Sequence, residues 1–130
     1  IYETRTGRYL GSLKEITFSL DKWEPSLFTL IENPVRGLKL NAPASAERGE
    51  IVSVEIKIDC DVPGDFHTFR SVVLDPAGSE LEMHSANLHG PGGKATWKIP
   101  FAVSDAPGTY TIRVRDVATG VAAEHQIELK

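Results

Sequence analysis

One cysteine, Cys60, and one methionine, Met83, are all the sulfur in a chain of 130 residues. A lone cysteine excludes an internal disulfide and matches no cysteine-based zinc pattern. No run of 18 apolar residues occurs, so no membrane-spanning helix is expected. Basic charge is also short. The 14 Lys+Arg against 18 Asp+Glu leave a net charge of −4 and a pI near 5.5, without the basic footprint of a nucleic-acid binder. Helical periodicity is missing too: no segment keeps a 3.6-residue apolar repeat over eleven or more positions. The best helical candidate, Ala44 to Glu50, is short and flanked by Pro43. The start lacks a signal peptide's apolar stretch, with Tyr2 and Arg5 in its place. An excised piece of a longer polypeptide is expected, bringing neither its parent's targeting signal nor its active site.

What remains is rich in strand formers. Ile, Val and Thr total 28 residues, while Gly and Pro total 19 and fall between short apolar alternations. A mass of 14.2 kDa lets the chain bury about two-thirds of its unfolded surface, enough for one core without metal or disulfide. From Ile51 to Asp59, the residues Val52, Val54, Ile56 and Ile58 share one face. Ala95, Trp97, Ile99 and Phe101 do the same, as do Tyr110, Ile112 and Val114. In the last strand Val121, Ala123, His125, Ile127 and Leu129 form the apolar side. One apolar and one wet face is the pattern of antiparallel sheets packed face to face. Asp75-Pro76-Ala77-Gly78, Gly90 to Gly93 and Ala118-Thr119-Gly120 supply turns. A strand is expected over Leu81 to Leu88, and the register of His67 to Leu74, apolar on both faces, stays open.

The fold class expected is therefore all-β: seven antiparallel strands over residues 36–130, preceded by a short β-meander over residues 1–35. In the meander Tyr2 to Thr6, Arg8 to Leu10, Glu15 to Leu20 and Ser26 to Ile31 read as strands, with Thr6-Gly7 and Asp21 to Pro25 as turns. This piece is too small to bury a core and must pack on the sandwich or on a neighbour.

Two resemblances follow from particular residues. Asp105-Ala106-Pro107-Gly108-Thr109-Tyr110-Thr111-Ile112 resembles the corner before the penultimate strand of immunoglobulin-like domains, where a Tyr hydroxyl bonds back to nearby backbone. Ile112 holds the position of the second Cys, with Val54 or Ile56 facing it, so the likeness is to disulfide-free immunoglobulin-like, fibronectin-III-like and macroglobulin-type modules. Tyr2 to Gly11, followed by Pro25-Ser26-Leu27-Phe28, resembles the closing meander of large bacterial glycoside-hydrolase-type proteins, β-galactosidase-like ones included. That resemblance implies an accessory role beside a carbohydrate-active domain and a periplasmic or extracellular setting. It transfers no catalytic residue.

Candidate chemistry is sparse. Glu80 and Glu82 are neighbours in sequence terms but read as a solvated face rather than a glycosidase pair. Asp59, Asp61 and Asp65 surround a Gly-bearing loop and are the candidate calcium ligands, though their spacing is not that of an EF-hand. His67, His84, His89 and His125 offer no short metal spacing. No nucleophile elbow or phosphate loop occurs, and no cofactor is expected. Trp97 belongs to the core by its alternation, whereas Trp23 sits in a polar turn, with Tyr9 in the same meander. These two are the candidate ligand-binding residues, as a stacking platform for sugar. The expected function is a non-catalytic structural module partnered by neighbouring domains of its parent. The alternative is a carbohydrate-binding module partnered by polysaccharide.

Overall fold

The computed structural model describes residues 1–61 and 64–130. It is an all-β sandwich with a small additional sheet at the front. That front sheet holds β1 (Tyr2–Glu3), β2 (Arg8–Tyr9) and β3 (Phe28–Thr29) in the order β2-β1-β3. Tyr2 is the one residue of this sheet that is fully buried. Its hydroxyl accepts a hydrogen bond from the Val35 backbone N–H at 3.2 Å, and its ring lies 4.9 Å from that of Tyr9.

The strand expected at Glu15 to Leu20 does not form. Its alternation is real, but no neighbouring strand offers it a ladder and no core lies beneath it. Phe18 instead packs on Phe28, with ring centroids 4.8 Å apart, while Leu20 stays exposed.

The sandwich pairs a three-stranded sheet with a five-stranded one. The first has the order β4-β6-β9, from β4 (Gly37–Asn41), β6 (Ile51–Asp59) and β9 (Lys94–Pro100). The second has the order β5-β11-β10-β7-β8, from β5 (Ser45–Ala46), β7 (His67–Leu74), β8 (Ala86–Gly90), β10 (Gly108–Asp116) and β11 (Ala122–Leu129). Period-2 alternation decides which residues meet between the sheets. Val52, Val54, Ile56 and Ile58 face Phe69, Val73, Ile112, Val114, Ile127 and Leu129 in one buried cluster. Trp97 joins it, opposite Val54 in the ladder. Each such side chain contributes about 1.5–3 kcal/mol on burial, which is why this cluster rather than the front sheet holds the chain together.

Two details differ from the sequence expectation. The short segment Ser45–Ala46 forms β5 and pairs in parallel with the end of β11, an addition to the seven expected strands. The stretch from Leu81 does not run as a strand. It makes one 3₁₀ turn, Glu82–His84, and β8 starts only at Ala86. The turn tucks His84 beside Phe101, 5.9 Å between rings, and the rim of the core rather than the alternation of 81–88 decides the local path. The open register of β7 resolves with His67, Phe69, Ser71 and Val73 inward. The Asp75–Gly78 turn forms as expected, its Asp75 carboxylate accepting from the Ala77 and Ser79 N–H groups at 2.9 and 2.8 Å.

Candidate functional site

The surface of the front segment differs from the rest. Of the twelve large hydrophobic side chains left exposed among the described residues, seven lie within residues 1–31: Tyr9, Leu13, Phe18, Leu20, Trp23, Leu27 and Leu30. Leu13 and Phe18 of these line a groove of about 490 Å³, with Leu10 and Phe28 also on its apolar side and Arg5, Arg8 and Glu24 among its polar groups. Arg5 reaches Glu24 at 3.4 Å and the Pro25 carbonyl at 3.5 Å, which ties the turn carrying Trp23 to β1. The Asp21 carboxylate caps that same turn by accepting from the Trp23 N–H at 3.0 Å.

Trp23 is 89% exposed and Tyr9 47% exposed. Tyr9 has one face against Tyr2 and its hydroxyl 3.3 Å from Ser12 Oγ. Neither Trp23 nor Tyr9 lines the groove. Trp97, by contrast, is buried at 6% exposure.

The acidic loop is organised around cations of the chain itself. Asp59 lies 3.1 Å from Lys39 Nζ and 3.5 Å from an Arg36 amine, and Asp61 pairs with Arg36. These contacts hold the Asp59 carboxyl below the usual carboxylate range, the Lys39 hydrogen bond first among the causes. Val62 and Pro63, within the candidate calcium loop, lie outside the described residues. Among the described residues, no three His, Cys, Asp or Glu side chains gather closely enough to hold a metal ion. Glu80 bonds to Arg70 at 3.2 Å and to Ser85, while Glu82 stands in the 3₁₀ turn; the two do not face across a cleft.

Sequence reading missed one polar cluster altogether. Beneath the β10–β11 turn, Asp116 is fully buried and one carboxylate oxygen accepts from Thr119 Oγ1 at 2.6 Å and from its N–H at 3.0 Å. The other oxygen lies 3.1 Å from His67 Nδ1, close but poorly aligned for a hydrogen bond. An Asp three residues before a Thr in a turn was the available signal. His67 gave none, since its inward direction depended on the unresolved register of β7. The pair is enclosed by sandwich residues and reaches no groove, so it supports the turn rather than a substrate.

On top of this turn sits the front segment. A Cβ added at Gly7 would lie 2.7 Å from the Gly120 Cα, and the reverse holds for Gly120, both residues having positive φ. The two glycine backbones thus touch directly and fix the meander against the sandwich.

No family model matches the sequence, and no curated protein matches it either. Solved structures do resemble it in fold. A superoxide reductase (neelaredoxin) from Ignicoccus hospitalis aligns with a TM-score of 0.53 at 11% identity, over 74% of this chain and 82% of that one. A β-glucosidase from Listeria innocua aligns with a TM-score of 0.51 at 14% identity, over 94% of this chain. That coverage takes in the front segment as well as the sandwich, yet it amounts to 19% of the β-glucosidase chain. At such identities the likeness is one of fold. Two neighbours with such different names share the sandwich, and the chain is an all-β sandwich similar in fold to part of a β-glucosidase chain.

Proposed function

We propose that the chain is a non-catalytic accessory module of a larger carbohydrate-active protein, an immunoglobulin-like or fibronectin-III-like sandwich that braces an adjoining domain through residues 1–31. The observation that carries this reading is the crowding of exposed apolar side chains in that segment, over half of the exposed large hydrophobics in under a quarter of the chain. A concentration of exposed apolar side chains in one segment suits an interaction face. The partial likeness to a β-glucosidase supports the carbohydrate setting, as fold-level analogy. The Tyr110 hydroxyl, which donates to the Ala106 carbonyl at 2.8 Å, supports the immunoglobulin-like assignment.

The test is made in the complete protein. Replacing Leu20, Trp23 and Leu30 together by Ser is expected to lower the melting temperature of the adjoining domain by several degrees and to speed proteolysis at the joint. An unchanged melting temperature and digestion pattern would refute the bracing role. A second reading draws on the 89% exposure of Trp23 alone: a flat ring open to solvent suits stacking on a sugar. Its mark is retention on neutral polysaccharide that Trp23→Ala abolishes.

A further inference from the structure

The outward face of the three-stranded sheet carries a row of like charges. The register sets Lys39 of β4 opposite Lys57 of β6, and Lys57 in turn opposite Lys94 of β9. All three are exposed. Strands lie about 4.8 Å apart, so the row spans about 10 Å. Like charges directly opposite in a ladder oppose its pairing. Only Lys39 is neutralised, by Asp59 at 3.1 Å; among the described residues no carboxylate pairs with Lys57 or Lys94. Glu55, two residues from Lys57 on the same face, accepts instead from Asn41 Nδ2 at 2.9 Å. The next row is Asn41, Glu55 and Thr96, and Lys98 follows opposite Ser53. Beside Lys57 and Lys94 lies a groove of about 540 Å³ that also takes in Glu55, His89, Pro91 and Thr96, the Glu55 carboxylate being held by Asn41.

We infer that this face binds an acidic polysaccharide, with carboxylate or sulfate groups of successive sugars seated on Lys57 and Lys94. Asn41, Thr96 and His89 are placed to hydrogen-bond sugar hydroxyls. A ladder row gives a straight, short track of charge flanked by amide and hydroxyl groups, which suits a linear sugar chain. The rows from Lys39 to Lys98 carry no exposed large apolar side chain to enter a bilayer; His89, beside them, has the exposed Phe66 ring 5.9 Å away, so single-stranded nucleic acid is the competing ligand that the test separates. The inference rests on the carbohydrate setting proposed above and adds the substrate class, at a surface separate from residues 1–31.

The test is electrophoresis of the chain through gels holding polygalacturonate, dextran sulfate or neutral dextran. Retardation is expected in one or both acidic gels and not in the neutral one, and which acidic gel retards tells carboxylate from sulfate. It should fade at about 1 M salt, where charges are screened within about 3 Å. The double variant Lys57→Gln/Lys94→Gln should lose at least tenfold in affinity. Lys14→Gln/Lys130→Gln, with the same change in charge, should keep it. All four lysines are exposed, so both variants should melt within about 3 °C of the parent. Absence of retardation in both acidic gels, equal loss in both variants, or tighter binding to single-stranded nucleic acid or anionic vesicles would each overturn the inference. The bracing role fails on a different measurement, the melting of the adjoining domain, to which Lys57 and Lys94 make no contribution.

Discussion

Asp116 is the residue on which most of the turn geometry converges. Its carboxylate holds Thr119, its N–H donates to the Val121 carbonyl at 2.8 Å, and its carbonyl accepts from the Gly120 N–H at 2.9 Å. Removing the carboxylate would leave the buried Thr119 N–H and hydroxyl proton without an acceptor. Asp116→Ala is therefore expected to cost about 3 kcal/mol, read as a fall in the urea midpoint. Asp116→Asn keeps an acceptor for Thr119 and should cost less than half as much; equal losses would show that charge near His67 matters more than the Thr119 bonds. Tyr110 is a second such residue. Burial pushes its phenol above the ordinary tyrosine value, and Asp105 and Asp75 add in the same direction. A raised folded value means the neutral phenol's contribution is complete below the unfolded value of about 10 and is lost as pH climbs through the folded one. Tyr110→Phe is expected to cost about 1 kcal/mol at neutral pH through the lost bond to Ala106. It should also flatten the fall in stability above about pH 10, measured by urea titrations across that range. An unaltered alkaline slope would assign that fall to other tyrosines.

At the scale of elements, the β10–β11 turn is also the seat of the front segment, because Gly7 rests on Gly120. A side chain at either position meets backbone at 2.7 Å and must also adopt a positive φ. Gly120→Ala is expected to cost about 2 kcal/mol and to loosen residues 1–31 together. Gly7→Ala should leave the sandwich's melting within about 2 °C yet make residues 1–31 the first site of limited proteolysis. If Gly7→Ala lowered the sandwich's stability as much as Gly120→Ala, the two parts would be one cooperative unit. How much of this was legible beforehand varies by element. Strands β6, β9, β10 and β11 were readable because one of their faces is buried and the other wet. The tyrosine corner was readable because it is a local motif. Residues 15–20 alternate equally well and form no strand, since a ladder needs a partner that alternation alone does not supply. The row of lysines was invisible for the related reason that it exists only across strands, once Lys39, Lys57 and Lys94 share a register. Trp23 could be placed in an exposed turn from its polar neighbours, but whether that exposure serves a sugar or a domain is not written in the turn.

At the scale of the molecule, surface area carries the argument. A free-standing protein of 14.2 kDa exposes roughly 6,800 Å², whereas this chain exposes 8085 Å². The difference, roughly 1,300 Å², exceeds the roughly 800 Å² that one partner buries in a stable interface. The front segment is where side chains lack cover: of its residues Tyr2 alone is fully buried, and its sheet is three strands of two residues each. Such a sheet has little cooperative protection of its own, whereas β6 and β10 hold nine residues each and sit inside their sheets. In the isolated chain, amide hydrogens of β1 to β3 are thus expected to exchange at least a hundredfold faster than those of β6 and β10. On the bracing proposal, an adjoining domain covering Leu20, Trp23 and Leu30 would have to come off before the sheet opens, so in the complete protein the segment should slow toward the sandwich's rate. Exchange in residues 1–31 that stays fast in the complete protein would mean that nothing docks there, and the exposed rings would then be left for a soluble ligand.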